Sequence, residues 1–154
     1  MTPIKLVSGG QTGVDRAALD AAAALGLAAG GWCPNGRRAE DGTIPDRYPL
    51  TELPSAQYGA RTRKNVTAAD ATLILTPTAA PPTGGTGLTA RSAARAKKPH
   101  LIVPLDNPTA AEEIRTWLAT VRPSVLNVAG PRESECPGIH AAALALVLDV
   151  LGES

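Results

Sequence analysis

Short apolar runs alternate along the chain with longer segments in which apolar positions recur at helical spacing. The apolar runs, each bounded by Gly, Pro or polar residues, predict buried strands over residues 4–7, 28–32, 71–76, 100–105 and 125–128. The helical spacing predicts helices over residues 14–25, 57–68, 87–97, 110–121 and 137–151. Predicted strands and predicted helices thus alternate along the chain.

This alternation decides the predicted fold class. Strand–helix–strand units favour a parallel sheet, because a helical crossover joins two parallel strands. We predict a Rossmann-like, doubly wound α/β fold, with a mainly parallel sheet of about five strands and helices on both faces. The length of 154 residues fits a single domain over residues 1–154. In such folds the ligand binds at the carboxyl ends of the strands.

Residues 33–57 break the alternation. Four prolines in this stretch exclude long helices and strands. A loop of this length in a compact domain is usually functional or disordered. We expect an ordered arm that covers the ligand pocket or contacts another subunit.

The first glycine turn, SGGQTGVDR over residues 8–16, lies between the first strand and the first helix. Glycines let the backbone approach a ligand, and a helix start presents free N–H groups and positive dipole charge to an anion. We expect Thr12 to cap the helix, with Asp15 in its first turn. The turn is not a P-loop, because Gly13 precedes Val14 rather than a lysine. It therefore predicts a backbone cradle for an anion, with a tight structural turn as the alternative.

The second glycine turn, TGGTG over residues 83–87, follows the strand at 71–76. Residues 85–90 match G-x-G-x-x-A, the dinucleotide fingerprint, and Asp106 follows at a suitable distance. The context is poor, because residues 77–83 separate the strand from the glycines. We expect both glycine turns to meet at the carboxyl edge of the sheet and to form one pocket.

Charged side chains near these turns add specificity to the predicted pocket. Arg37 or Arg38 could hold an oxyanion in bidentate fashion, and Glu40 could accept a hydrogen bond from a ring nitrogen; a solvated loop is the alternative. The helix predicted over residues 57–68 should start at the ligand edge and carries Arg61 and Thr62 as further candidates. We expect Asn65, one turn further on, to brace the loop. We predict no catalytic residue and no metal ligand. The predicted ligand-binding residues are Gly9, Gly10, Gln11, Thr12, Gly13, Asp15, Arg37, Arg38, Glu40, Arg61, Thr62, Thr83, Gly84, Gly85 and Thr86.

Composition excludes several classes of partner. The net charge is +1 and aromatic residues make up 3% of the chain, which speaks against nucleic-acid binding. The start of the chain lacks the features of a signal peptide, and no apolar run reaches the length of a membrane span. We expect a cytoplasmic protein that binds a small anionic molecule and contacts neither nucleic acid nor membrane.

Four stretches together resemble the putative molybdenum carrier family. They are SGGQTGVDR at residues 8–16, GWCPNGRRAEDG at 31–42, RTRKNV at 61–66 and GGT at 84–86. This family comprises molybdenum-cofactor carrier proteins, Rossmann-like members of the superfamily that contains the LOG-type phosphoribohydrolases. The resemblance implies a small α/β protein, usually a homo-oligomer such as a dimer or tetramer. It implies binding of molybdenum cofactor (Mo-molybdopterin) and its transfer between cofactor-synthesis or acceptor proteins, and it does not obviously imply catalysis.

The resemblance leaves two other functions open. LOG-type enzymes are similar in having a Pro-Gly-Gly-x-Gly-Thr-x-x-Glu turn, and here Leu88 and Arg91 stand at its Thr and Glu positions. Cleavage through an oxocarbenium-like state needs a carboxylate near the sugar, so Arg91 speaks against hydrolysis of a nucleoside monophosphate. A nucleotide-binding or nucleotide-sensing module without turnover is the third reading. The sequence does not decide which glycine turn holds the phosphate.

Overall fold

The computed structural model describes residues 3–152. Its helices are α1 (Val14–Leu25), α2 (Tyr58–Ala68), α3 (Gly84–Arg95), α4 (Ala110–Val121) and α5 (Ile139–Leu151). Its longer strands are β1 (Lys5–Val7), β7 (Ala71–Thr76), β8 (His100–Pro104) and β9 (Val125–Ala129). Its two-residue strands are β2 (Ala29–Gly30), β3 (Trp32–Cys33), β4 (Arg38–Ala39), β5 (Gly42–Thr43) and β6 (Thr51–Glu52).

The central sheet has five strands in the order β2-β1-β9-β7-β8, and each neighbouring pair is parallel. This confirms the predicted Rossmann-like fold class. The last strand of the chain, β9, lies in the middle of the sheet. In the usual order 3-2-1-4-5 the middle strand is the first one. Moving β9 and α5 to the front of the chain would restore that order, so the topology is a circular permutation of the usual one.

Helices cover both faces of the sheet. Leu73 and Leu75 of β7 belong to the large apolar core that also contains residues of α1, α4 and α5. Side chains alternate along a strand, so the buried Thr72 and Ile74 point to the other face. There α2 and α3 pack against each other. Because all six residues of β7 are buried, both layers contribute to the core.

Several predicted boundaries are wrong by one to three residues, and two of these differences lie at glycines. The expected strand 28–32 is split, because Gly31 has a φ of +128° and packs directly on the backbone of Ser8. Beyond it, Trp32 and Cys33 pair with β6 instead of continuing in the central sheet. The third helix begins at Gly84, three residues before the predicted start. The second glycine turn is therefore the first turn of α3 rather than a loop before it.

The arm over residues 33–57 is ordered and packs against α1. Its Ile44 and Tyr48 form a small buried cluster with Cys33 and with Leu19 of α1. Arg37 braces the arm, since its guanidinium donates to backbone carbonyl oxygens of residues 44, 45, 48 and 50. Two short strand pairs, β4 with β5 and β3 with β6, complete the arm. This part of the chain thus has its own small core beside the sheet.

Candidate functional site

The predicted site residues gather around the carboxyl edge of the sheet. The loop after β1 carries the first glycine turn, and β7 leads towards the start of α3. Between β9 and β7 the strand order reverses, and doubly wound folds bind ligands in the crevice at such a point. The helices α2 and α3 lie side by side on the face that borders this crevice.

The first glycine turn is closed by neighbouring parts of the protein. A Cβ at Gly9 would overlap the guanidinium of Arg61, and one at Gly10 would overlap Leu50. At Gly13 a Cβ would lie 2.9 Å from the backbone N of Glu133, and φ is +81°. These glycines are needed because other elements pack directly on their backbone. Groups of the protein itself therefore occupy the cradle that the sequence predicts for an external anion.

The anion in the first turn is the protein's own Asp15. This carboxylate is buried and accepts a hydrogen bond from Arg61 Nη1 at 2.9 Å. Burial raises the pKa of Asp15, while Arg61 and the backbone N–H groups of Gln11 and Gly9 act in the opposite direction. The carboxyl group of Asp15 therefore already lies where the turn presents its amides.

The side chains of Gln11 and Thr12 bond to neighbouring loops. Gln11 Oε1 accepts from the backbone N–H groups of Thr12 and Glu40. Thr12 does not cap α1, since Gly13 is the N-cap residue; its hydroxyl donates to Glu40 and accepts from the backbone N of Glu133. The hydroxyls of Ser134 and Thr12 lower the pKa of Glu40 by stabilising its charged form. These polar groups tie the arm to the loop after β9.

The sequence analysis missed this loop over residues 130–138. It runs from Gly130 and Pro131 to Pro137 and Gly138, a pattern that marks a turn before a helix. The signal lay in the topology, since in the permuted order the loop after β9 takes the place of the usual first glycine loop. When the strands are taken in chain order, residues 8–16 are the first glycine loop instead.

The arginines of the arm do not converge on the crevice. Arg37 is committed to the backbone of its own loop, and Arg38 lies exposed in β4. Arg16 forms the bidentate pair instead, with Asp41, and lowers the pKa of that carboxyl. The predicted bidentate oxyanion contact thus exists within the protein, between two residues outside the predicted set.

Internal anions also occupy the starts of α4 and α5. Glu133 accepts hydrogen bonds from the backbone N–H groups of Gly138 and His140 at the start of α5. Glu112 and Glu113 lie in the first turn of α4. Together with Asp15 in α1, these carboxylates offset the positive dipole ends of three helices. In the part of the chain that the structure describes, α2 and α3 have no acidic residue in the first turn and no side-chain cap.

The first turn of α3 is open. Neither Gly84 nor Gly85 has an atom of another residue within 4 Å of where a Cβ would lie, apart from the excluded chain neighbours and backbone of its own helix. Thr83 is the exposed N-cap residue and Thr86 is buried below the turn. Arg91 folds back towards this turn, with Nη1 3.1 Å from the Cβ position of Gly87. An anion could approach this backbone without displacing a side chain at either glycine.

The first turn of α2 presents an arginine beside the crevice. Arg61 bonds to Asp15 through Nη1, but its Nε is buried and has no hydrogen-bond partner within residues 3–152. An unsatisfied buried donor is costly, which makes this atom a natural contact for a ligand oxygen. Thr62 is buried, and its hydroxyl donates to the carbonyl of Tyr58 within the helix. Asn65 holds the backbone N–H and C=O of Trp32, which confirms the brace expected for it.

The comparison with protein families follows this geometry. Residues 6–151 match the family model described as "cpYpsA: Circularly permutated YpsA SLOG family". The chain belongs to the cpYpsA family. Circular permutation is also what the strand order shows, with β9 in the middle of the sheet.

One solved structure resembles this cpYpsA chain over almost its full length. It is described as "Putative molybdenum carrier protein" from Syntrophus aciditrophicus SB, with 42% sequence identity and a TM-score of 0.92. The match covers 99% of the present chain and 96% of the other. It confirms the resemblance noted from the four sequence stretches. The comparison with curated proteins found no match.

The described part of this cpYpsA domain contains neither a cluster of metal ligands nor a membrane-spanning helix. Across residues 3–152, no three side chains of His, Cys, Asp or Glu lie close enough together to hold a metal ion. Among the same residues, no helix combines the length and apolar character that crossing a bilayer requires.

Proposed function

We propose that this protein binds and carries molybdenum cofactor, a phosphate-bearing molybdopterin, and catalyses no reaction on it. The observation that carries the proposal is the open first turn of α3 beside α2. Of the five helices within residues 3–152, three have carboxylates at their starts, whereas these two leave their dipole ends available to an external anion.

The residues around the crevice fit the anionic parts of this ligand. Backbone N–H groups at Gly84 and Gly85 would hold the terminal phosphate, because no side chain covers them. Arg61 Nε has no partner within the described residues, and a charge-assisted bond from it to a second anionic oxygen would satisfy this buried group. Holding the ligand by hydrogen bonds, without a thiolate on molybdenum, suits a protein that must release its cargo.

Thr83, Thr86 and Thr62 border the same crevice and stay in the proposed ligand site. Gly9 and Asp15 contact Arg61, and the proposal gives residues 10–13 no ligand contact. Arg37, Arg38 and Glu40 lie in the arm, and the proposal gives them no ligand contact. We further propose a cytoplasmic homo-oligomer that exchanges cofactor with synthesis or acceptor proteins. The name of the Syntrophus aciditrophicus protein supports a molybdenum-related ligand.

A LOG-like phosphoribohydrolase is the second candidate, supported by membership of a SLOG family. Arg91 stands where LOG-type motifs have glutamate, and its guanidinium lies against the glycine turn. A cation in this place strengthens anion binding but supplies no carboxylate for an oxocarbenium-like state. A nucleotide-binding module without turnover would use the same contacts.

The test compares two ligands on the same protein. Purified protein is titrated with molybdenum cofactor under anaerobic conditions and, separately, incubated with adenosine monophosphate. Binding of the cofactor with slower oxidation supports the carrier. Release of adenine shows the hydrolase instead, and no cofactor binding at micromolar protein together with nucleotide binding contradicts the carrier.

A charge variant locates the site. Gly85→Asp places a carboxylate where the phosphate should bind, so we expect loss of cofactor binding with the fold intact. Ala111→Asp is the matched control, because Ala111 is the second residue of α4 as Gly85 is of α3. If Gly85→Asp binds as well as the parent, the phosphate does not use this turn.

A further inference from the structure

Tyr58 is an exposed aromatic side chain in a protein that has very few. The chain contains two Trp, two Tyr and no Phe. Tyr58 is 44% exposed, whereas Tyr48 is buried at 5% and both tryptophans are half-buried. Burying the ring of Tyr58 would gain hydrophobic free energy that the folded chain leaves unused.

Tyr48, the other tyrosine, has a structural role. The hydroxyl of Tyr48 donates to Asp20 at 2.8 Å and accepts from Arg47 at 2.8 Å, and its ring lies in the small core of the arm. Tyr58 has no such place in a core. Its ring is accessible to a molecule outside the chain.

Tyr58 lies at the start of α2, one of the two helix starts that leave their dipole ends open. The guanidinium carbon of Arg61 lies 6.0 Å from the centre of its ring. The next residue, Gly59, faces Leu88 of α3, with 3.5 Å between its Cβ position and Leu88 Cδ2. Leu88 is about one helical turn beyond Gly84. The ring thus lies beside the arginine at the start of a helix that packs against α3.

Trp32 is the other aromatic residue close to α2, and it is half-buried. Lys64 Nζ lies 5.0 Å from the ring centre. Its backbone N–H and C=O are both held by Asn65, so the residue is fixed from two sides. Of the two aromatic residues, Tyr58 is the more exposed.

We propose that the ring of Tyr58 is the stacking platform for the flat heterocycle of the bound ligand, a pterin or a purine. The inference rests on the proposed function, because it needs a ligand whose phosphate binds at the start of α3. With the phosphate at Gly84 and Gly85, the remainder of the ligand extends over the neighbouring first turn of α2. An aromatic face accepts any flat heterocycle, and cation–π attraction from Arg61 adds to it.

The test measures the affinity of three proteins for molybdenum cofactor and for adenosine monophosphate. Stacking on an aromatic side chain contributes enough that Tyr58→Ala should weaken binding by roughly 5- to 150-fold. Tyr58→Phe keeps the ring and should bind within about twofold of the parent. Thermal unfolding of both variants at the parent temperature shows that the fold is unchanged. The ligand that the parent protein binds tells whether the heterocycle is a pterin or a purine.

Each outcome bears on the inference. Weak binding by the Ala variant with parent-like binding by the Phe variant supports stacking. Equal binding by all three proteins overturns the inference and leaves the proposed function standing. Loss of binding in both variants assigns the effect to the hydroxyl and overturns stacking. If the parent binds neither ligand, the proposed function fails and this inference fails with it.

Discussion

Replacing Gly13 with alanine tests whether the first glycine turn is structural. Gly13 has a φ of +81° and a ψ of −131°, which alanine avoids, and an added Cβ would lie 2.9 Å from the backbone carbon of Arg132. The residue cannot keep this conformation without strain, and the loop after β9 cannot keep its place above it. We therefore expect Gly13→Ala to destabilise the fold in the absence of any ligand.

The magnitude follows from two contributions. A non-glycine residue in such a backbone region costs about 1–3 kcal/mol. Displacing the loop also weakens the hydrogen bond from the Val14 backbone N to Pro131 O, at 3.3 Å, which contributes about 1 kcal/mol. The sum is about 2–4 kcal/mol, or a fall in Tm of about 4–16 °C for a domain of this size.

Gly85→Ala is the matched comparison, because it changes a glycine in the second turn. Nothing outside the excluded local backbone lies within 4 Å of its Cβ position, and the residue is helical. Alanine is favoured over glycine in a helix by roughly 0.5–1 kcal/mol, so Tm should rise by about 1–4 °C.

Thermal unfolding followed by circular dichroism, with urea unfolding as a second measurement, distinguishes the two turns. We expect Gly13→Ala to unfold at lower temperature than the parent and Gly85→Ala at the same or higher temperature. If Gly13→Ala leaves Tm unchanged, the backbone of residues 131–133 does not pack on Gly13 in the way that the structure shows. If both variants lose the same stability, the distinction between a closed and an open turn is wrong.

Three further predictions concern the polar groups behind the site. Asp15→Ala leaves the Arg61 charge without its buried partner and should cost about 3–5 kcal/mol of unfolding free energy in urea, with no loss contradicting the role of the pair. Glu40 has a lowered pKa, so its contribution to stability is present above its unfolded pKa and is lost as pH falls through the folded value. Unfolding free energies from pH 6 to pH 3 should therefore fall less in Glu40→Gln than in the parent, and parallel curves would refute this. Asn65→Ala leaves both backbone groups of Trp32 without these bonds and should cost about 1–3 kcal/mol, whereas an unchanged urea midpoint would contradict the brace.

The fold could be predicted because it depends on local patterns. The apolar run over 71–76 and the helical spacing over 110–121 are confirmed residue for residue. Periodicity reports which side of an element is buried, and that is a property of neighbouring residues. The boundary at Gly31 could not be found in this way, because it depends on contact with Ser8 across the sheet edge.

The site was predicted less well, since its chemistry depends on which groups already have partners. Nothing in the sequence shows that Asp15 fills the first turn or that Arg37 binds only its own loop. The sequence predicts an external anion at the first glycine turn, whereas the structure places the carboxyl group of Asp15 there. The open turn at Gly84 and Gly85 is recognised only when the surrounding space is known. Their role in ligand binding stays a prediction.

The most direct test is to follow backbone amide chemical shifts by NMR while molybdenum cofactor is added to the parent protein. We expect large shifts at Gly84, Gly85 and Thr86 and at the first turn of α2, with saturation at one cofactor per chain. We expect small shifts at Gly10 and Gly13, whose turn already holds Asp15. Large shifts confined to the first turn, or none in either turn at saturating cofactor, would contradict the proposed site.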